Sequence, residues 1–500
     1  MSLTMQSVTR VLAFLSCVGN GRRVQKAMGN VAFNPAAKAY ERVSRSVAVI
    51  GGGSAGIVAA RFLKRAGHRP KLFEAGTSFG GVWADKPTNK VVYNNLQTNL
   101  PTCVMQSPDL DFPTGLPSYV TKPQLGAYIE SYAQEFGVTP LTTFGATVTS
   151  VTPSKEEQER WMVEWMCDGA SQADVFDAVV VANGHYEFPY KPTLPGEHEW
   201  LAADASRAIV HSCEYKDPEE FRDQSVLVVG GRSSGVDISR MLHGVAKWVY
   251  VLEKKCSSPI THEGEAVTHV PVGTRLSSDG RLRFEDGDAE MEMPGPPVER
   301  VVLATGYLYE FPFLDEASVG LRFRGERYVT PLFQHLLHAT RPTLGFVGIP
   351  LAVPCPIPFF ECQAVYLAEF WARPTDGPDA LAPTAERIEW VEQRQALVGD
   401  RTQDMHTTGA GNNTAWNYLR ELLTKVHTAN PPTSEGESWV ERSDWEFRLA
   451  TVEDVYKDRG SRQPKKPWED DSYRRCEYSV DWASGRWSVD DKSAQVAMGA

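Results

Sequence analysis

The chain has no C-x-x-C pair. Its eight cysteines, Cys17, Cys103, Cys167, Cys213, Cys256, Cys355, Cys362 and Cys476, are too scattered for a redox disulfide motif, a zinc-ligand spacing or a secreted disulfide framework. Apolar runs long enough to span a membrane are also missing. The longest are strand-length, such as Ala178 to Ala182, or are cut by prolines, as in GIPLAVPCPIPFF. There is no basic excess: 51 Lys and Arg against 63 Asp and Glu leave a net charge of −12, which disfavours nucleic acid or an anionic membrane as the main partner. Acid is locally absent as well. No Asp or Glu occurs up to Tyr40, whereas Arg10, Arg22, Arg23, Lys26 and Lys38 are basic and Val8, Val11, Leu12 and Leu15 share one helical face. That stretch reads as an organellar transit segment, a short secretory h-region (VLAFLSCV) or a plain extension, so the expected location is the cytoplasm, or a mitochondrion or plastid if it is a transit peptide. The folded part is expected to begin near Ser44.

What is present, twice, is an apolar run feeding a glycine turn. In SVAVIGGGSAGIVAARFLKRAGHRPKLFEAG the turn is complete: Gly51 permits the tight bend, Gly53 lets backbone N–H groups approach a pyrophosphate, and Gly56 lets helix and strand pack closely. Ser54 and Ala55 complete the phosphate-facing run, and Glu74, ending the next strand, can accept ribose hydroxyls. In SVLVVGGRSSGVDISRML the glycines Gly230 and Gly235 recur, but Arg232 holds the middle position, followed by Ser233 and Ser234. Its guanidinium fork suits phosphate oxygens. The strand after it ends in Glu253, Lys254 and Lys255, an acid that favours a free ribose 2'-hydroxyl beside bases that favour a 2'-phosphate. Strand alternation puts Glu253 and Lys254 on opposite sides. Two dinucleotide halves imply two nucleotide cofactors in a large α/β chain of two or more domains.

Between and beyond the turns the organisation is coarser. FGGVWADKPTNKVVYNNLQTNLP reads as a loop wrapped on a ligand, and PQLGAYIESYAQEFGV as a helix with Leu125, Ile129, Tyr132 and Phe136 on one face. Two or three strands follow, in GATVTSVTP, RWMVEWMCDG and FDAVVVANGHYEFP. Because VVVANG and VERVVLATGY both close on small-residue turns, the second nucleotide unit interrupts the first, and the chain returns through Ala304, Thr305 and Gly306. From Ala380 onward the chain is rich in tryptophan (Trp390, Trp416, Trp439, Trp445, Trp468, Trp482, Trp487) without a chemical motif, which suggests packing or subunit contact.

Several of these strings together resemble the flavin-containing monooxygenases, of the soluble, fungal-like eukaryotic type. The resemblance rests on GGGSAG, FGGVW, YNNLQTNLP, FDAVVVANGHY, IVHSCEYKDPEEF, VLVVGGRSSGVDI, VLATGYLYEFPFL and TLGFVGIPL, from about Val47 to Trp371. The family fingerprint F-x-G-x-x-x-H-x-x-x-F/Y is half met: His211 and Tyr215 fit, whereas Ala205 and Arg207 replace the usual phenylalanine and glycine. Baeyer-Villiger relatives carry tryptophan where Tyr215 stands.

The resemblance implies an FAD-binding domain in two parts (44–199 and 301–380), an inserted NADPH-binding domain (200–300) and a C-terminal helical region with a polar tail (381–500). It implies that NADPH reduces FAD, that the flavin takes up oxygen as a C4a-hydroperoxide, and that a soft nitrogen or sulfur in a small molecule attacks the distal oxygen, as in N,N-dimethylaniline monooxygenase. Asn99 corresponds to the family's asparagine beside the flavin, its other reading being an Asx-type turn before Pro101. Thr98, Gly81, Val82, Trp83 and Val148 fall on the flavin side; His211, Ser212, Arg232, Lys254, Thr305 and Gly306 fall near the coenzyme. Gln363 belongs to the returning helix, expected to aim its N-terminus at the flavin. Asp237 reads as polar packing. Other readings remain at this point: a Baeyer-Villiger or N-hydroxylating monooxygenase, an uncoupled NAD(P)H oxidase or redox sensor, and a binding module that lost its second nucleotide. Neither a metal site nor the oligomeric state is legible.

Overall fold

The computed structural model describes residues 42–84, 91, 96–156, 159–262, 264–286, 289–374, 381–408, 415–429, 438–463 and 471–492. The amino-terminal extension, much of the loop between Trp83 and Leu96, and Trp468 lie outside them.

Strand β1 (Ser46–Ile50) is a continuous apolar run buried from Val47 on, as expected for a strand covered on both faces. It feeds the first glycine turn and helix α1 (Ser54–Arg65), whose last turn carries Lys64 and Arg65 against the negative end of the helix dipole. Strand β2 (Arg69–Glu74) then pairs in parallel with β1, Ile50 opposite Phe73. With β3 (Thr142–Phe144) and β4 (Ala178–Val181), these are four neighbouring strands, in the order β4, β1, β2, β3, of a seven-stranded sheet.

After β4 the chain leaves this sheet and builds another. Strand β5 (Ala208–His211), β6 (Ser225–Val229), helix α2 (Ser233–Leu242), β7 (Trp248–Leu252), β8 (Val267–Val270) and β9 (Arg300–Leu303) make a six-stranded sheet in the order Ile260–His262, β8, β7, β6, β9, β5. All neighbours run parallel except the edge strand Ile260–His262. The chain then returns to the first sheet through β10 (Leu344–Phe346), which pairs in parallel with β4. The molecule therefore has two doubly wound dinucleotide units, the second inserted in the first.

The returning chain leads into helix α3 (Pro356–Trp371), buried on nearly every side and packed against α1. Their contact encloses a charged knot. Arg61 of α1, only 6% exposed, donates to Glu361 of α3 at 2.8 Å and to Asp109 at 2.7 Å; Glu361, fully buried, also accepts from Ser107, Tyr132 and Trp439 Nε1. Burial pushes the Glu361 carboxyl up, with the Arg61 guanidinium pulling against it.

Helix Lys122–Glu135 forms where the apolar spacing predicts it. It opens on a Thr121/Gln124 capping box and buries Leu125, Tyr128, Ile129 and Tyr132. Trp161, Val163 and Trp165 alternate inward on the strand Trp161–Cys167. A third strand, Ala170–Phe176, follows it through the Asp168–Gly169 turn, both residues at positive φ. The carboxyl-terminal region is mainly helical (Thr384–Val398, Ala415–Ala429, Trp445–Ser461), with a hairpin of Cys476–Asp481 and Arg486–Asp491. Trp416 and Trp439 are buried in the first unit's core.

Candidate active site

The two glycine turns lie at the carboxyl ends of β1 and β6, where open parallel sheets bind ligands. They are built alike. Gly51 N–H donates to Phe73 O and Gly230 N–H to Leu252 O, both at 2.8 Å. A Cβ on Gly51 would sit 2.6 Å from Ala182 O, and one on Gly230 2.4 Å from Ala304 O. A Cβ on Gly56 would lie 1.9 Å from Gly51 O, and one on Gly235 1.7 Å from Gly230 O. These positions are closed to any side chain.

Both turns fit a dinucleotide. Gly53 caps α1 and Arg232 caps α2, each in extended backbone and neither offering a side-chain acceptor to the first-turn N–H groups. Those donors, with Ser54 and Ala55 in one turn and exposed Ser233 and Ser234 in the other, are what a pyrophosphate satisfies. Gly53 faces Gly81, with 3.6 Å from a built Cβ to the Gly81 Cα. Glu74 is buried, its Oε2 accepting from Gly52 N–H at 2.8 Å and its Oε1 from Gly76 N–H at 2.6 Å.

The flavin-side segments converge on one helix. The carbonyl of Trp83, at the end of the short turn Gly81–Val82–Trp83, stands 2.7 Å from where a Cβ on Gly126 would be, so Gly126 admits this segment to helix Lys122–Glu135. Thr98, buried, pairs with Val120 just ahead of the same helix, N–H to Val120 O at 2.9 Å and Oγ1 accepting from Val120 N–H at 3.1 Å. Asn99 follows, half-buried, its side-chain amide without a hydrogen-bond partner among the described residues. An Asx turn would need a backbone donor two or three residues on. Pro101 has none, and Thr102 N–H is committed to Ser118 O at 2.7 Å. Arg474, from the carboxyl-terminal region, reaches this loop and donates through Nε to Thr98 O at 3.2 Å. Val148 packs in the core beside Phe73 and Trp165.

On the coenzyme side, His211 is fully buried and accepts the Cys213 N–H at Nδ1 (3.3 Å), so its proton sits on Nε2 and bonds Gly306 O at 3.0 Å. Burial holds its pKa below the usual imidazole value. Ser212 N–H bonds Leu303 O, and Thr305 Oγ1 bonds Tyr190 O. Tyr215 is buried against Phe221. Arg207, in place of the fingerprint glycine, donates to Trp200 O and Ser278 O. Arg232 is 69% exposed and touches Asp404 at 3.3 Å; Lys254 is exposed. Arg327, without a motif to mark it, lies over the Tyr190 ring at 4.8 Å and close to Gly306.

Gln363 is placed differently from the expectation. It lies two turns into α3, fully buried, its Oε1 accepting from Gly348 N–H at 3.0 Å and its Nε2 donating to Tyr418 OH at 2.9 Å. Its amide shapes the Gly348 bend, at φ +87°, from behind. Asp237, expected as polar packing, joins Arg240, Arg474 and Asp471 in an ion network.

Among the described residues no helix is long and apolar enough to cross a membrane. Residues 44–266 match the family model for flavin-binding monooxygenase-like proteins. The chain is 31% identical over 458 residues to the Arabidopsis thaliana flavin-containing monooxygenase FMO GS-OX5, covering 86% of this chain and 92% of that one. It is 34% identical to FMO GS-OX-like 2 of the same plant, across 65% of this chain and 73% of that one. The solved S-allyl-L-cysteine S-oxygenase of Allium sativum superposes with a TM-score of 0.70 at 28% identity, covering 92% of this chain and 99% of that one. At 19% identity the Tmm protein of a Pelagibacter strain shares the fold, with a TM-score of 0.66. Two glycine cradles on two parallel sheets, matched along nearly the whole of a relative, place this chain in the flavin-containing monooxygenase family, an oxidoreductase with FAD and NADPH as its cofactors.

Proposed function

We propose that the enzyme uses NADPH and dioxygen to oxygenate a soft nucleophilic sulfur or nitrogen in a small molecule, with a thioether sulfur as the first choice. The observation that carries this reading is Asn99. Its half-buried amide has no hydrogen-bond partner among the described residues, beside a loop held by Thr98, Val120 and Arg474. Such an amide can donate and accept next to a reactive centre without adding charge. The likeness to a plant S-oxygenase, across almost the whole of both chains, favours sulfur.

Bound FAD, reduced by the coenzyme, supplies the oxygen activation. The protein supplies position and dryness. The α1 N-terminus with Gly53 holds the pyrophosphate, and Glu74 the adenosine ribose. Gly81, Val82 and Trp83 close one side of the site, Thr98 and Asn99 another. The second cradle, with Gly230, Arg232, Ser233, Ser234 and Gly235, holds NADPH, and Thr305 and Gly306 face it across the end of β9. His211 acts by fixing Gly306, not as an acid or base. Gln363 fixes Gly348. No side-chain nucleophile is needed.

A panel of thioethers, thiols and tertiary amines tests the reading, with stimulated NADPH consumption measured and product identified by mass. S-oxides or N-oxides formed in proportion to NADPH support it. Peroxide as the sole oxygen product with every compound makes the protein a coenzyme oxidase, and lactone or ester from a ketone makes it a Baeyer-Villiger enzyme.

A further inference from the structure

Glu253 directly follows β7 whereas Glu74 is the last residue of β2, and each stands 22 residues after the second glycine of its turn. The two carboxylates take the same place. A Cβ built on Gly52 lies 2.9 Å from Glu74 Oε2, and one on Gly231 lies 2.4 Å from Glu253 Oε2. Glu253 therefore turns inward over the second cradle, while Lys254 is exposed. Its bonding differs from that of Glu74 in one respect. Glu74 has both oxygens occupied by backbone N–H groups of its own unit, whereas Glu253 accepts from His269 Nδ1 at Oε1, 2.7 Å away, and leaves Oε2, among the described residues, without a hydrogen-bond partner. The side chain is only 24% exposed, so His269 holds an acceptor aimed at the point where a coenzyme's adenosine ribose would lie. A carboxylate there accepts from vicinal hydroxyls and repels a 2'-phosphate. The one base at the turn itself, Arg232, is largely exposed and drawn toward Asp404.

We infer that this enzyme uses NADH as well as NADPH, and that Glu253 is the residue setting the balance. The inference rests on the reading of the second unit as the coenzyme site. A ribose diol gains Glu253 as an acceptor; a 2'-phosphate gains Arg232 but meets the Glu253 charge, so neither coenzyme has both advantages.

The test uses the FAD-loaded full chain. NAD+ and NADP+ are titrated separately, with binding read from the thermal shift and the flavin absorption change, and reduction by NADH and NADPH is followed under anaerobic conditions. The expected wild-type affinities for NAD+ and NADP+ lie within about tenfold of each other. Glu253→Ala should weaken NAD+ at least about tenfold while leaving NADP+ unchanged or tighter, and Glu253→Gln, which keeps a partner for His269, should shift the ratio the same way by a smaller factor. Retained flavin content in both variants shows that the fold is intact. A wild-type preference for NADP+ of more than about a hundredfold overturns the inference, as does equal weakening of both nucleotides in Glu253→Gln. If neither nucleotide binds or reduces the flavin, the coenzyme-site reading falls, and the inference with it.

Discussion

The Arg474 guanidinium spans from the carboxylate of Asp237, with Nη2 3.2 Å from both oxygens, to the carbonyl of Thr98, 3.2 Å from Nε. One side chain from the carboxyl-terminal segment thus ties helix α2 of the coenzyme unit to the loop that carries Asn99. Arg474 is 7% exposed, and Asp237 raises its pKa against the cost of burial. Arg474→Gln should lower stability by about 2 to 3 kcal/mol, the scale for losing charged hydrogen bonds where Asp237 keeps Arg240 as a second partner. Because one tie between the loop and the coenzyme unit is then lost, peroxide released per NADPH should rise more than KM changes. An unaltered peroxide ratio in a folded, flavin-loaded variant would reduce Arg474 to a packing role.

Gly53 shares its space with Gly81. The 3.6 Å from a built Cβ to the Gly81 Cα leaves room for one methyl and no more. Gly53→Ala should purify with reduced flavin, and Gly53→Val with almost none, since the valine branches fill the gap through which a pyrophosphate approaches the α1 N–H groups. The 450 to 280 nm absorbance ratio measures this. Normal flavin in Gly53→Val would remove the first cradle from the FAD site.

Asn99→Leu is close in volume but cannot hydrogen-bond. Because no described residue bonds the Asn99 amide, stability and flavin content should change little. The anaerobic rate of flavin reduction should stay near that of the wild type while oxygen consumption shifts toward peroxide. Unchanged coupling to product would return Asn99 to the turn.

Much of this was legible because it is local. Each glycine turn and its acid fit within one strand–helix–strand stretch, and the insertion shows as two similar small-residue turns closing β4 and β9. Other features had no local signature. Ala170–Phe176 is a strand of mostly exposed residues, stabilised by its pairing with Trp161–Cys167 rather than by alternation. Alternation separates Glu253 from Lys254, but only the packing of β7 against β6 decides which faces the turn. Arg474 and Asp404 meet Thr98 and Arg232 across 376 and 172 residues of chain, distances over which spacing carries no information. Gln363 lies on the expected helix, yet its direction is set by Gly348 and Tyr418, which only the folded chain brings to it.

His335 and His406 are buried with their Nδ1 atoms 3.1 Å apart, so one ring donates there and the other accepts, and His406 Nε2 lies between Val329 N, at 3.0 Å, and Val329 O, at 2.9 Å. Burial lowers His406 to about 3 and His185 and His338 to about 4, and drives His335 well down. In the unfolded chain each returns to 6.5. A folded value below the unfolded one means that unfolding takes up protons, so the stability these rings contribute is whole above pH 6.5 and is lost as pH falls from 6.5 toward about 4. Each contributes at most about 1.4 kcal/mol per pH unit in that window. Urea unfolding at steps between pH 7.5 and 5 should therefore show stability falling with acid. His335→Gln keeps an acceptor for His406 and removes one titrating ring, so it should flatten the fall by up to that amount per unit while leaving the curve above pH 7 nearly level. A slope identical to wild type would mean that the pair takes up no proton on unfolding.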